Sequence, residues 1–368
     1  MKTARGLIIP ACCLCLLSLL FISGCQMKKQ TGVNNEEAGS SENVQYETVK
    51  IDFSKADTDK IITKFTGDTL EKALKNGAKS EKYDGFESLT YENGTQYFTY
   101  TERTFNGLGP VITYKDQYEM AGEQYEGVLS DITYDLTGNN VFGIAIRKKL
   151  PDESLDNCTR EEALNYCNQY AELLGYGPGN STADVYAITI DKLKDTMIPC
   201  YGPLKGIDNK KILSDDKLGK IQKKYPWTKE YEAMYIIYKP CVNGMLLDSI
   251  FCSMEMVYVP AYSKIVYAVG YIPWTVTGTE PLEDKIISKE EAVEEAKLLS
   301  NTADKDNIKI EDVTMVYSQN MTRLGDSELD LCWRVYYKIE NSAEYTGAKA
   351  YKSVLINAVT GEEYYINS

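Results

Sequence analysis

Histidine is missing from all 368 residues. That single absence removes Ser-His-Asp and Cys-His nucleophilic catalysis, the HExxH zinc peptidases and every zinc site that uses an imidazole. Beyond residue 25 no two cysteines have the CxxC spacing, so neither a zinc knuckle nor a thioredoxin-type redox motif is encoded. Positive charge is in short supply: 40 Lys and Arg face 54 Asp and Glu, a formal charge of −14. A nucleic-acid-binding chain needs a basic stripe, so nucleic acid is excluded as a partner. Phenylalanine is scarce at 8 residues, whereas tyrosine reaches 29. Tyrosine suits pleated, half-exposed surfaces, and the imbalance predicts much β-sheet.

The first 25 residues have a character of their own. Lys2 and Arg5 form a positive start, and Leu7 to Ile22 is apolar or small apart from one Pro and one Ser. The run falls short of the roughly 18 apolar residues of a membrane-spanning helix but suits the apolar core of a signal peptide. It closes as Leu20-Phe21-Ile22-Ser23-Gly24-Cys25, a bacterial lipoprotein cleavage box. Small Ser23 and Gly24 leave the backbone open to a peptidase, and the Cys25 thiolate is the group that takes a diacylglyceryl chain. Residues 1–24 are therefore expected to be a lipoprotein signal peptide. Cys25 is the expected lipidation site, and the protein is expected at the extracytoplasmic face of the cell membrane, held by its N-terminal lipid.

Loss of residues 1–24 removes Lys2 and Arg5 and leaves 38 basic against 54 acidic side chains, a formal charge of −16. Residues 25–46 are rich in Lys, Gln, Asn, Glu, Gly and Ser without an apolar face, and read as a flexible tether. The remaining length predicts more than one core. The expected divisions are a β-rich N-terminal domain at 47–150, a middle helix-plus-sheet domain at 151–280 and a C-terminal domain at 281–368.

In the first of these, Thr69 to Asn76 predicts a short helix ended by Gly77. Ser88–Glu92 and Thr95–Tyr100 flank Asn93-Gly94, a hairpin signal in which both turn residues take positive φ. Strand-like runs follow at Val111–Tyr114, Gly127–Tyr134 and Val141–Arg147. The aromatic density here (Tyr97, Phe98, Tyr100, Phe105, Tyr114, Tyr118, Tyr125) fits either a carbohydrate- or peptide-binding face or rings packed on one another in a sheet.

A repeat dominates the rest. Thr159 and Glu162 form a capping box at the start of one helix, whose stripe is Ala163, Leu164, Cys167, Ala171 and Leu174, with Gly175 as the stop. Ser288 and Glu291 form a second box, followed by Ala292, Val293, Ala296 and Leu299. An offset of 129 residues superposes the two starts. Each helix precedes a series of strands. The first set is Asp184–Ile190, Glu232–Lys239, Phe251–Val259 and Lys264–Tyr271, interrupted by a turn at Asn243-Gly244 and a helix near Asp215–Lys224. The second is Ile308–Tyr317, Leu331–Ile339, Tyr351–Ala358 and Glu363–Ile366. Trp333, Val335, Tyr337 and Ile339 alternate with Arg334, Tyr336 and Lys338, which predicts a sheet with one buried face. The expected fold class is α+β, built of repeated helix-plus-antiparallel-sheet units behind a β-rich N-terminal domain.

The last of these units, Ser288 to Ser368, resembles a PepSY-type module, in which an S-x-E-E-A helix precedes strands and a closing V-x-x-D-A-x-T-G-E hairpin. Here the closing segment reads Val354-Leu355-Ile356-Asn357-Ala358-Val359-Thr360-Gly361-Glu362, with Asn357 where the family usually has Asp. Two such units behind a β-rich region are similar to the YycH- and YycI-type extracytoplasmic regulators of Gram-positive bacteria and to uncharacterised lipoproteins of gut Firmicutes. The resemblance implies an envelope protein that holds or regulates a protein or peptide partner.

Candidate chemistry is thin. Without histidine, paired carboxylates remain, as in glycoside hydrolysis, and the candidate pairs are Asp131 with Asp135 and Asp248 with Glu255. Asp304-Lys305-Asp306-Asn307 offers oxygen ligands but lacks the glycine and terminal glutamate of a calcium loop, and reads as solvated. No metal, cofactor or catalytic residue is assigned. Six cysteines follow Cys25. The best-placed disulfide pair is Cys241 with Cys252, across a hairpin centred near Met245 to Leu247, with buried free thiols as the alternative. Three readings follow: a lipid-anchored binding or regulatory protein without catalysis, a solute-binding lipoprotein of a transporter, or a carboxylate-dependent hydrolase of wall or glycan.

Overall fold

The computed structural model describes residues 46–52, 56–83, 86–103, 110–116, 153–195, 228–248, 253–273, 275–300, 307–319, 328–341 and 351–364. Cys25, Asp131, Asp135, Cys252, Asp304 to Asp306 and the helix expected near Asp215–Lys224 lie outside them. So do the expected strands at Gly127–Tyr134 and Val141–Arg147.

The described residues form an α+β fold of two antiparallel sheets. The larger contains β2 (Lys79–Tyr83), β3 (Phe86–Glu92), β4 (Gln96–Arg103), β5 (Val111–Asp116), β6 (Ser181–Ile188), β7 (Ala233–Val242), β9 (Met254–Val259) and β10 (Lys264–Tyr271), with the short β8 (Met245–Leu246) beside β7. Its order is β2-β3-β4-β5-β10-β9-β7-β6. The smaller joins β1 (Glu47–Asp52), β11 (Thr275–Pro281), β12 (Ile308–Ser318), β13 (Glu328–Ile339) and β14 (Tyr351–Asn357), in the order β11-β1-β13-β12 with β14 also on β13.

Three helices cover one face of the large sheet: α1 (Thr58–Thr66), α2 (Leu70–Lys75) and α3 (Arg160–Ala171). Ile61, Ile62 and Phe65 of α1 and Ala163, Cys167 and Ala171 of α3 meet Phe98, Tyr114, Met256 and Tyr238 of the strands in one core. The short α4 (Ile190–Asp195) sets Leu193 into a second core on the opposite face, with Tyr235, Ile237 and Val257. On the small sheet, α5 (Lys289–Leu299) packs Ala292 and Ala296 against Val335, Tyr337 and Ile356. Both capping boxes form, with Thr159 accepting from the Glu162 N–H and Ser288 from the Glu291 N–H while each glutamate reaches back to its cap N–H. Each of these two helices lies across the antiparallel strands that follow it in sequence.

The strand pairing crosses both expected domain boundaries. Val111–Lys115 of β5 pairs with Tyr267–Tyr271 of β10, so the strands before residue 150 and those after it are one sheet. β1 pairs with β11 and, at Val49–Leu329 and Lys50–Glu328, with β13, so the first strand belongs to the C-terminal sheet. The described residues cluster as one compact unit. The physical reason is that β1 and β5 each need partners on two edges, and those partners come from far along the chain. Local sequence patterns carry no sign of such pairing.

Turn chemistry also differs in detail. Asn243 and Gly244 both have positive φ (51° and 79°) and close a two-residue hairpin in which Cys241 faces Leu246. At Asn93-Gly94 only Gly94 does, at 88°. Asn93 instead precedes the loop, and its side-chain carbonyl accepts from the Gln96 N–H at 2.9 Å. Gly175 ends the α3 region in the left-handed conformation as expected, and a Cβ there would lie 3.0 Å from the Pro273 ring.

Candidate functional site

The proposed carboxylate pair separates. Glu255 sits on β9 in the large sheet, 4% exposed, and accepts a hydrogen bond from the Tyr235 hydroxyl at 2.7 Å. Asp248 follows β8, which runs beside β12 of the small sheet. Its N–H donates to the Tyr317 carbonyl and its carbonyl accepts from the Ser318 hydroxyl, while its buried carboxylate lies 3.8 Å from Arg334 of β13. The two acids have different partners in different sheets, so the structure gives them no common task.

That same contact corrects the reading of β13. Trp333, Val335, Tyr337 and Ile339 face α5 as expected, but Arg334 and Tyr336 on the other side are buried too. The β7–β8 hairpin causes this: Leu246 packs on Val316, Cys332, Leu355 and Tyr364, and Asp248 covers Arg334. Asp248 Oδ2 and Arg334 Nε lack hydrogen-bond partners among the described residues.

Cys241 is a free thiol, half-buried, with burial pushing its pKa upward. The hairpin is centred at Asn243-Gly244, two residues before the expected centre, which places Leu246 rather than a cysteine opposite it. Cys158, Cys167 and Cys332 are buried free thiols whose pKa values burial also raises. Of the aromatic group, Phe98 and Tyr100 are core residues and Tyr114 is buried beneath α1, its ring 5.1 Å from that of Phe65. Phe105, Tyr118 and Tyr125 lie outside the described residues.

The closing hairpin works as its residues suggest. Gly361 has φ 75°, and the Asn357 side-chain carbonyl accepts from the N–H groups of Val359 and Thr360 at 2.8 and 2.9 Å. The task at this position is to accept two backbone hydrogen bonds. An amide oxygen meets it as a carboxylate would, which explains why Asn stands there.

A feature missed in the sequence lies where the sheets meet. β11 is an outer strand of the small sheet, and among the described residues no strand pairs with its far edge. Six of its seven residues are exposed, with Val276 at 41%. From Thr275 to Thr279 it carries no charge, whereas the outer strand β2 of the large sheet has Lys79, Glu81 and Lys82 within five residues. Charge is the usual way to blunt such an edge, and β11 has it only beyond Thr279. A bulge at Thr277 and the terminal Pro281 limit how far another strand could run along it. Beside Val276 opens a crevice of about 350 Å³. Ile51, Val276 and Leu329 form one wall, and Cys241, Val242 and Leu247 of the hairpin form the other. The signal that would have shown β11 is its run of β-branched residues, Thr275-Val276-Thr277 and Thr279, which Gly278 and Pro281 obscure.

Among the described residues no helix is long and apolar enough to cross a membrane, and no group of three or more metal-ligating side chains gathers. No protein-family model matches the chain, and no curated protein matches it. Among solved structures, an uncharacterized protein from Eubacterium rectale is similar over 88% of this chain and 86% of its own, at 14% identity and a TM-score of 0.49. The C-terminal domain of YpeB from Bacillus megaterium is similar over 85% of this chain and 96% of its own, at 12% identity and a TM-score of 0.32. Likenesses at these scores carry no ligand or activity across to this chain.

Proposed function

We propose that this chain is a lipid-anchored, extracytoplasmic binding protein without catalytic activity, and that it holds an extended peptide segment of an envelope protein along β11. The observation that carries the reading is the exposed edge strand, uncharged from Thr275 to Thr279, with a crevice lined in part by Ile51, Val276 and Leu329 beside it. An extended peptide adds to such an edge through main-chain hydrogen bonds and gains specificity from pockets that take alternate side chains. The occupant has a stated chemistry. One apolar side chain enters the crevice next to Val276, and a basic residue lies toward Glu283 and Asp284, exposed just beyond the strand, since Glu280 is already ion-paired with Lys50. The short run before the Thr277 bulge limits the pairing to a few hydrogen bonds, which suits reversible, regulatory contact. The PepSY-like pattern of α5 and its sheet supports the same reading, since it provides the platform on which β11 is mounted.

The test uses the full chain in detergent against an array of extended peptides. Peptides with an apolar residue three to five positions from Lys or Arg should bind, and Val276→Lys should abolish that binding while leaving the melting temperature in place. Binding that survives Val276→Lys sinks the reading. Fractionation of cells carrying Cys25→Ala tests the anchor separately: the protein should leave the membrane fraction, and an unchanged distribution would refute the lipid.

A further inference from the structure

A second concave site lies on the helix-covered face of the large sheet, where the C-terminal end of α1, the outer side of α3 and the β9–β10 turn come together. Its volume is about 320 Å³, and its walls include Tyr114, Tyr166, Tyr170 and Tyr262, with Gln96, Asp116 and Lys264 among them. The rings are fixed by one another. Phe65 stands 5.1 Å from both Tyr114 and Tyr170, and Tyr166 stacks on Tyr258 at 4.5 Å and on Tyr170 at 5.9 Å. Tyr262 is the exposed member, at 38%. The polar groups are fixed as well: Gln96 Nε2 donates to the Tyr114 hydroxyl at 3.2 Å, and the Tyr166 hydroxyl donates to the Ser263 carbonyl at 2.6 Å. Asp116 is 4% exposed and takes an ion pair from Lys264 at 3.2 Å, whose own side chain is largely in water.

The charge balance narrows the ligand. The buried Asp116 carboxylate is met by the Lys264 ammonium at 3.2 Å, so a cationic ligand gains no uncompensated charge there. A cationic ligand meets two ammonium groups already at the cleft: Lys64 Nζ, 4.6 Å above the Tyr170 ring, and Lys264 beside Asp116. An anionic ligand meets the buried Asp116 carboxylate. What remains is a neutral molecule that offers hydroxyl donors to a carboxylate and an amide, and a flat C–H face to tyrosine rings. The cleft lies near the small end of the roughly 300–1,000 Å³ range of ligand sites, room for one or two rings. We propose that this cleft binds a neutral pyranose, as a free sugar or as one unit of a neutral glycan chain, with Tyr262 stacking on the ring and Asp116 and Gln96 receiving and giving its hydroxyl hydrogen bonds. Apart from Gly67 and from Tyr262 and Ser263 of the β9–β10 turn, the site is built on a sheet and two helices, and its buried rings are held in place before the ligand arrives. It is distinct from the β11 crevice and stands or falls apart from it.

The experiment is titration calorimetry of the full chain in detergent with glucose, galactose, mannose, N-acetylglucosamine and their short oligomers, and with glucuronate and glucosamine as charged controls. Saturable binding of a neutral sugar is expected, weakened at least about tenfold by Tyr262→Ala and by Asp116→Asn, the latter as the loss of a hydrogen bond to a charged acceptor. Val276→Lys should leave it unchanged. Thermal melting identifies any variant that fails to fold, and Tyr262→Ala, at an exposed position, decides the matter if Asp116→Asn does. No saturable neutral sugar, preference for a charged control, or binding that survives Tyr262→Ala overturns the proposal.

Discussion

The contact between Asp248 and Arg334 is the sharpest place to test how the two sheets are held together. Asp248 arrives on the β7–β8 hairpin of the large sheet and Arg334 belongs to β13 of the small one, with side chains 2% and 10% exposed. Both charges have been taken out of water, and each offsets part of the cost of the other. Arg334 has a second acid, Asp312, also at 3.8 Å and half in solvent, whereas Asp248 has no other cation among the described residues. Breaking a buried pair by deleting one member costs about 3–5 kcal/mol, and ion-pair rather than hydrogen-bond distances place this case near the lower end, about 3 kcal/mol. Arg334→Met should therefore be worse than Asp248→Ala, because it strands a carboxylate with nothing to balance it. At roughly 2 °C per kcal/mol for a unit of this size, the expected fall in melting temperature is about 6 °C or more. The double variant Asp248→Leu/Arg334→Met should recover to within about 1 kcal/mol of the parent, since apolar replacement of a buried pair is close to neutral. Denaturant melts of the four proteins form a double-mutant cycle. Single variants within about 0.5 kcal/mol of the parent, or strictly additive effects, would refute the account. The cycle also bears on the hydrolase reading, because removal of a catalytic carboxylate commonly leaves stability unchanged or improved.

Three further outcomes are expected. Asn357→Asp should fold with little change in urea melts, whereas Asn357→Ala should cost about 1 kcal/mol by leaving two turn N–H groups without their acceptor. Glu162 and Glu291 are held below their ordinary value of 4.5, chiefly by the backbone N–H of their cap residues and then by the cap hydroxyls. Their folded forms release a proton more readily than the unfolded chain, so the stabilisation is complete above about pH 4.5 and is lost as pH falls through the lower folded values. A Glu162→Gln/Glu291→Gln variant should show a shallower loss of melting temperature on acidification, and an unchanged slope would count against the caps. Finally, maleimide should modify Cys241 faster than Cys158, Cys167 or Cys332, read by peptide mass mapping, and a peptide bound on β11 should slow that reaction.

Local features were legible in the sequence wherever the controlling interaction is itself local. Both capping boxes, the glycine stop at Gly175 and the Thr360-Gly361 turn depend on residues within four positions of each other, and each formed. Strands β7, β9, β10, β12, β13 and β14 were visible because their apolar patterns are long. What lay beyond reach was partnership. Nothing within Val111–Asp116 marks Lys264–Tyr271 as its neighbour, and nothing in Glu47–Asp52 shows that it lies between β11 and β13. The alternation of β13 suggested a solvated face, yet the hairpin at Asn243-Gly244 brings Leu246 and Asp248 over it from some ninety residues upstream. The tyrosine cleft was half legible: Tyr114 belongs to the aromatic group near the start of the chain, but nothing local marks Tyr166, Tyr170 or Tyr262 as its partners. Helix periodicity explains the spacing of Tyr166 and Tyr170 without revealing that α3 turns these two rings toward the end of α1.

The position of β1 also governs the order in which the protein can be made. Val49 pairs with Leu329, and the loop closed by that contact contains nearly all of the intervening chain. During synthesis the first strand emerges well before either of its neighbours, so for most of that time it is a short strand with two open edges and only Val49 and Ile51 to bury. Closing so long a loop is slow even though its entropy rises only with the logarithm of length. A chain anchored at Cys25 would hold this waiting strand about twenty residues from the bilayer, where anything that pairs with it prematurely competes with its own C-terminal half. The small sheet is thus complete only once β13 has been made, and it is the sheet that carries β11.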